Sequence, residues 1–192
     1  MNICELRKKI RVQRTTLPAS MNQEASTKIA GIIHDLKIFK TSKYIAAYLA
    51  FNGEIDPTLL VNFVWQENKF CYIPLIRKEE MLFIKYEKKD KLIKNRCGIL
   101  EPVFTTNKIM SPENLELVIT PLVGFDLQCN RLGTGGGYYD RTFSFFKKKS
   151  SQHYPYLLGI AYEFQKVEKL VPQEWDIPLD MVVTEAAIYT KK

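Results

Sequence analysis

Residues 115–141 read LELVITPLVGFDLQCNRLGTGGGYYDR. An apolar strand (LELVIT, 115–120) stands ahead of a glycine-rich turn, and a helix opens at Tyr138. Four glycines fall within five positions: Gly133, Gly135, Gly136 and Gly137. Glycine enters positive φ freely and lets backbone approach a ligand closely. A glycine turn between strand and helix aims its amides at an anion, aided by the helix dipole. Arg131 enters this turn, Arg141 leaves it, and Asp140 lies in the first helical turn. The set suits a phosphate with a magnesium ion beside it. It is neither a GxxxxGK[ST] loop nor GxGxxG, because position 138 is Tyr. The plainer reading is a turn in which Asp140 only offsets the helix dipole. On the residues alone both readings stand.

Outward from this segment, helical and strand patterns alternate. Residues 2–14 place Ile3, Leu6 and Ile10 on one helical face. Leu17-Pro18 ends that helix, and Ser20 with Gln23 has the spacing of a capping box for a second, with Ala25, Ile29, Ile32, Ile33 and Leu36 inward. The run YIAAYLAF (44–51) is a buried strand; Asp56 then caps a helix starting at Pro57 and carrying Leu59, Leu60, Phe63 and Val64. Strands follow at 69–75 and 81–87, a polar loop at 88–96, a helix at 138–149 with Tyr139, Phe143 and Phe146 inward, and strands at 156–162 and 181–189. This alternation predicts an α/β protein with a largely parallel sheet flanked by helices. No repeat or linker marks a boundary.

Composition agrees. The chain has 192 residues, 46% hydrophobic and 26% charged, which excludes wholesale disorder, collagen, coiled coil and disulfide miniprotein. The net charge of +7 is clustered in residues 1–14, 77–96 and Lys147–Lys149, which favours anionic partners. Cys4, Cys71, Cys97 and Cys129 form no CxxC pair and read as reduced, mostly buried thiols. With only His34 and His153 available, a zinc site or a Ser-His-Asp triad is disfavoured, and any metal is held by carboxylates, hence magnesium. No apolar run is long enough to span a membrane, and no apolar leader follows the charged start, so the expected compartment is the cytoplasm.

The segment from Pro121 to Arg141 resembles the 5-formyltetrahydrofolate cyclo-ligases, also called 5,10-methenyltetrahydrofolate synthetases. LRKKIR near the start, YLAFNGEID (48–56), GILEP (98–102) and DIPLDMVVTE (176–185) follow in the order of that family. The resemblance implies a single three-layer domain over residues 1–192, Rossmann-like and similar to the CoA transferases. It implies an enzyme that uses ATP and Mg2+ to convert 5-formyltetrahydrofolate to 5,10-methenyltetrahydrofolate, ADP and phosphate. Its partners are then small molecules, a reduced folate and ATP, with no nucleic acid or membrane, and the expected state is a monomer.

Residue by residue, the resemblance assigns Arg7, Arg131, Leu132, Gly133, Thr134, Gly135, Gly136, Gly137, Tyr138 and Tyr139 to ATP, with Arg131 and Tyr139 catalytic. Phe51, Glu54, Asp56 and Tyr138 go to the folate; without the resemblance, Phe51 reads as core, Glu54 as solvated and Asp56 as a helix cap. Asp140 is the expected magnesium ligand, with Asp176, the preferred candidate, or Asp180 as the second carboxylate. Ile3 departs from the pattern, since relatives carry Lys four residues before the arginine that matches Arg7; either Lys8 or the N-terminal amine replaces it, or nucleotide affinity is weaker. The basic stretch 77–96 guides an anionic folate tail or is solvated surface. A non-enzymatic RNA-binding module is the alternative to the enzyme, favoured by charge but lacking RNP aromatics or a GXXG loop.

Overall fold

The computed structural model describes residues 2–94, 98, 100–104, 108–147 and 155–191. Asn2 starts helix α1 (Ile3–Thr15): its side chain accepts from the Cys4 and Glu5 amides, and Glu5 reaches back to the Asn2 amide. This reciprocal pair satisfies amides that a helix start leaves without partners. The capping box therefore sits here and not at Ser20–Gln23. Helix α2 (Ala19–Asp35) follows Pro18 directly and has no side-chain cap, so Ser20 and Gln23 lie inside it. Proline's preset φ turns the chain into the helix before Ser20 can act. The short helix α3 (Lys37–Thr41), strand β1 (Tyr44–Ala46) and helix α4 (Thr58–Gln66) come next. Helix α4 starts at Thr58, with Pro57 as its cap residue and no side-chain cap of its own, one position later than expected; Asp56 Oδ1 still accepts from both the amide and the hydroxyl of Thr58.

The remaining elements are β2 (Phe70–Arg77), β3 (Glu80–Tyr86), β4 (Leu92–Lys94), β5 (Leu100–Pro102), β6 (Ile109–Met110), β7 (Leu117–Pro121), β8 (Gly124–Phe125), β9 (Arg131–Leu132), α5 (Tyr138–Thr142), β10 (Tyr156–Ile160), β11 (Met181–Val183) and β12 (Ile188–Thr190). The main sheet runs β12-β11-β10-β7-β1-β2-β3-β6. Strands β11, β10, β7, β1 and β2 are mutually parallel, while β12, β3 and β6 pair antiparallel at the edges. The largely parallel sheet read from the alternation is thus present.

Side-chain alternation divides the core into two faces. Ile45, Ile73, Leu117, Ile119 and Leu158 meet Ala25, Ile29 and Ile33 of α2 and Leu60 and Val64 of α4. Ala46, Val118, Leu157 and Val182 face the other way, onto Phe125, Phe143, Ile177 and Leu179. Helices cover the first face. The short α5 and non-helical chain cover the second, and that looser layer carries the glycine turn.

Several elements differ from the sequence reading. The strand expected at 44–51 leaves the ladder after Ala46, because the chain must turn through Asn52 and Gly53, both at positive φ. The strand expected at 181–189 is the β11–β12 hairpin, turned where the Thr184 hydroxyl accepts from the Ala186 and Ala187 amides. The expected loop at 88–96 includes β4, paired with β5. The helix expected at 138–149 ends as α5 at Thr142, followed by a 3-10 turn over Ser144–Lys147. An α-helix would set Phe145 on the opposite side from Phe143, whereas here Phe143 meets Phe145 at 6.1 Å and Phe146 at 5.7 Å between ring centres. Arg96, Cys97, Ile99, Lys148, Lys149 and His153 lie outside the described residues. Cys71 and Cys129 are buried, as read, but Cys4 is exposed.

Gly53 shows how tightly α1 seats on the loop after β1. Its φ is +71°, and a Cβ there would stand 2.7 Å from the Arg14 carbonyl oxygen. Gly53→Ala is expected to destabilise the fold by about 1–3 kcal/mol in denaturant unfolding. A loss below about 0.5 kcal/mol would show that the helix end moves aside freely.

Candidate active site

The parallel strands end together at one edge of the sheet, the position at which open α/β sheets form ligand crevices. Beyond β1 the chain supplies Tyr48, Leu49, Phe51 and Glu54; beyond β7 it supplies the β8–β9 hairpin, the glycine turn and α5. Two adjoining cavities result. One, of about 630 Å³, is mostly apolar and is walled by Tyr48, Phe51, Ile76, Met81, Tyr138 and Tyr139, with Glu54 inside it. The other, of about 390 Å³, is polar and holds Arg7, Asp176 and the glycine turn, with Ile3, Val171 and Trp175 at its edge. Arg131, Gly133, Gly137 and Asp140 line both.

Arg131 occupies the seam. Its side chain is 4% exposed, and its Nη2 donates to Asp140 Oδ1 at 2.7 Å. Its Nη1 is buried without a hydrogen-bond partner among the described residues. A buried guanidinium nitrogen left unpaired is costly, so the arrangement is incomplete without an acceptor from outside the chain. Asp140 Oδ1 also accepts from the Ile177 amide at 3.1 Å, tying α5 to the opposite wall.

The glycine turn is shaped by its own backbone and by α1. Gly135 and Gly137 take positive φ, +108° and +63°. Arg7 Nε donates to the Gly133 carbonyl at 2.9 Å, and Arg11 Nη2 to the Thr134 carbonyl at 3.0 Å. Arg141 Nη1 donates to the Gly136 carbonyl at 2.8 Å, its guanidinium lying 4.9 Å from the Tyr138 ring centre. Leu132 lines the polar cavity, but its side chain packs with Ile10, Val123 and Leu170.

Burial dominates the titration of the apolar cavity. It drives the Tyr139 hydroxyl well above its ordinary range, with Arg131 opposing, so the phenol stays protonated and is a hydrogen-bond donor. It also raises the Glu54 carboxyl, opposed first by Arg14 at 3.5 Å and then by the Phe51 amide at 3.1 Å.

The structure therefore gathers most of the residues singled out in the sequence, but not all. Phe51 and Glu54 line the apolar cavity, whereas Asp56 stands outside it, its Oδ1 occupied by the Thr58 amide and hydroxyl. Both Tyr138 and Tyr139 line that cavity. Asp140 and Asp176 face the polar cavity together, with Asp176 Oδ2 accepting from the Gln173 amide at 2.8 Å. Asp180 is not brought there. Its Oδ2 accepts from the Leu157 amide at 2.8 Å, at the opposite end of β10 from the cavities. Among the described residues no three His, Cys, Asp or Glu side chains cluster as a metal site.

Ile3, expected on the core face of α1, is 47% exposed at the mouth of the polar cavity. In the basic stretch, Lys85 pairs with Glu87 at 2.7 Å and Asp90 with Lys108 at 2.8 Å, as on a solvated surface. Leu100 and Glu101 of β5 nevertheless reach the apolar cavity. His34 sits away from both cavities, 2.7 Å from Glu67. The sequence reading missed Arg11, Arg14 and Tyr48. The i, i+4, i+7 spacing of Arg7, Arg11 and Arg14 was the available signal for the arginines.

Fold and site together define an α/β protein whose strand–glycine turn–helix unit sets a buried arginine side chain and a carboxylate where two cavities meet. The 5-formyltetrahydrofolate cyclo-ligase family model matches residues 3–185, and the chain belongs to that family, a family of enzymes. It is 35% identical over 178 residues to the 5-formyltetrahydrofolate cyclo-ligase of Haemophilus influenzae, covering 91% of this chain and 93% of that one. It is likewise 35% identical over 183 residues to the Escherichia coli K12 protein of the same name, covering 94% and 98%. The NMR structure of Aquifex aeolicus 5,10-methenyltetrahydrofolate synthetase superposes with a TM-score of 0.83 at 34% identity, covering 99% of this chain and 93% of that one.

The raised Glu54 carboxyl has a measurable consequence. A folded-state pKa above the unfolded one means that the folded chain holds this proton more tightly. The stability Glu54 contributes is therefore fully present below about pH 4 and is lost as pH rises through the folded pKa. Glu54→Gln removes that loss. Its stability relative to wild type should rise between about pH 4 and pH 7 in urea titrations, and a flat difference would contradict the assignment.

Proposed function

We propose that the protein converts 5-formyltetrahydrofolate to 5,10-methenyltetrahydrofolate, consuming ATP and releasing ADP and phosphate. The observation that carries this reading is Arg131, buried at the seam of a polar and an apolar cavity with one nitrogen unpaired. The polar cavity takes the triphosphate, and the apolar cavity takes the flat pterin with its formyl group turned to the seam.

The formyl oxygen is an amide oxygen and a poor leaving group. Transfer of the terminal phosphoryl group to it makes it phosphate, a good one. N10 then attacks the activated carbon, the C–N bond forms, N10 gives up its proton, and phosphate departs with the former formyl oxygen. Phosphoryl transfer is governed by positioning and by charge stabilisation, and the chain supplies both. The turn from Gly133 to Gly137 offers backbone amides, and Arg7 and Arg131 offer guanidinium donors to phosphate oxygens. Tyr139, held protonated, donates toward the seam, and Arg131 stabilises charge there. Tyr138 and Phe51 provide faces for the pterin and Glu54 a hydrogen-bonding carboxylate. The apolar wall excludes water from the activated carbon.

Asp140 and Asp176 fit a magnesium ion. This cation needs only one or two carboxylates when substrate phosphates complete its shell, which agrees with a two-carboxylate wall and no larger cluster among the described residues. Bound there, it would neutralise phosphate charge. Residues 1–192 act on this reading as one catalytic domain, since the two largest core clusters share the main sheet.

Adding ATP, magnesium and 5-formyltetrahydrofolate should produce the near-UV absorbance of the methenyl product, and chelation of the metal should stop it. Folded protein that gives no signal but binds RNA in a salt-dependent way would reverse the conclusion in favour of the RNA-binding module. Asp140→Asn keeps the shape of the pair with Arg131 but loses its charge, and should lower kcat by about 100-fold or more with circular dichroism unchanged. Full turnover in that variant would remove Asp140 from the site. Ile3→Lys should retain turnover and lower the KM for ATP; a clear rise in that KM would show that Ile3 is not a missing phosphate contact.

A further inference from the structure

Helix α1 carries Arg7, Arg11 and Arg14 at i, i+4 and i+7, a stripe along one face. All three spend guanidinium donors on backbone carbonyls of the loops that wall the site. Arg7 and Arg11 take the Gly133 and Thr134 carbonyls of the glycine turn, at 2.9 and 3.0 Å. Arg14 takes the Asn52 carbonyl at 2.9 Å and the Leu122 carbonyl at 3.4 Å, and pairs with Glu54 at 3.5 Å. A trans peptide holds its C=O and the next N–H on opposite sides. Drawing the Thr134 carbonyl toward α1 therefore turns the Gly135 amide away from it. Anchoring the Asn52 carbonyl likewise sets the turn from which Glu54 enters the apolar cavity. Such bonds are charge-assisted, and an arginine keeps its charge when buried.

We propose that Arg11 and Arg14 are positioning residues with separate tasks, Arg11 aligning the glycine turn for the nucleotide and Arg14 holding Glu54 for the folate. The proposal rests on the two-cavity reading given under Proposed function. The groups facing Glu54 are Arg11 and Arg14 from α1, Tyr48 from the chain after β1 and Tyr139 from α5. Of these, Arg14 does most to favour the ionised carboxylate. Burial alone favours the neutral form.

The test is steady-state kinetics with both substrates varied. Arg11→Met should raise the KM for ATP about three- to tenfold, with the KM for the folate unchanged. Arg14→Gln should raise the KM for the folate about tenfold, with the KM for ATP unchanged, and should move the acidic limb of the folate kcat/KM profile to higher pH. Arg14→Lys, which keeps the charge, should leave that limb in place while still raising the KM for the folate. It also decides the matter if Arg14→Gln does not fold. Equal effects on both KM values, or lost stability with both KM values unchanged, would overturn the proposal. A wild-type protein without turnover would instead remove the reading beneath it.

Discussion

The pair of Arg131, whose side chain is buried, and the half-buried Asp140 organises this molecule. Asp140 compensates most of the charge of a guanidinium that is almost wholly withdrawn from water. Removing one partner from such a pair costs about 3–5 kcal/mol, because the survivor is left charged and buried. The pairing is also incomplete, since Nη1 has no acceptor among the described residues. The fold thus holds a cation in place, satisfies it in part, and leaves one donor for a ligand. Both cavities meet at that donor, and the phosphoryl transfer proposed above rests on this meeting.

The rest of the structure serves that seam from two directions. The sheet brings the exits of β1 and β7 to one edge, because β1 and β7 are parallel neighbours. Helix α1 then lies across both exits and answers their carbonyls with arginines. Sequence-distant segments, around residues 52, 122 and 133, are held by one short helix. The second face of the sheet is covered mainly by non-helical chain, which lets the glycine turn and α5 approach closely where a regular helical layer would hold them off.

Much of this was legible in the residues. The glycine turn, its flanking Arg131 and Asp140, the apolar β7 and the amphipathic α2 and α4 all rest on local spacing, and local spacing survives folding. The misses share a cause. Ser20–Gln23 has capping-box spacing, but Pro18 starts the helix earlier. Asp56 could cap or bind, and the nearby Thr58 amide and hydroxyl claim it. Ile3 fits an apolar face but sits where α1 passes the cavity mouth.

The sequence by itself determined the alternating elements, the glycine-rich turn and the likeness to a folate enzyme family, because these depend on neighbours a few residues apart. Only the tertiary structure decided between Asp176 and Asp180. The two lie four positions apart, yet the pairing of β11 with β10 sends one to the cavity and the other to the far end of the sheet. It also decided that Arg14 turns inward to Glu54, since the burial that makes this pairing matter arises only when α1, β1 and β7 come together.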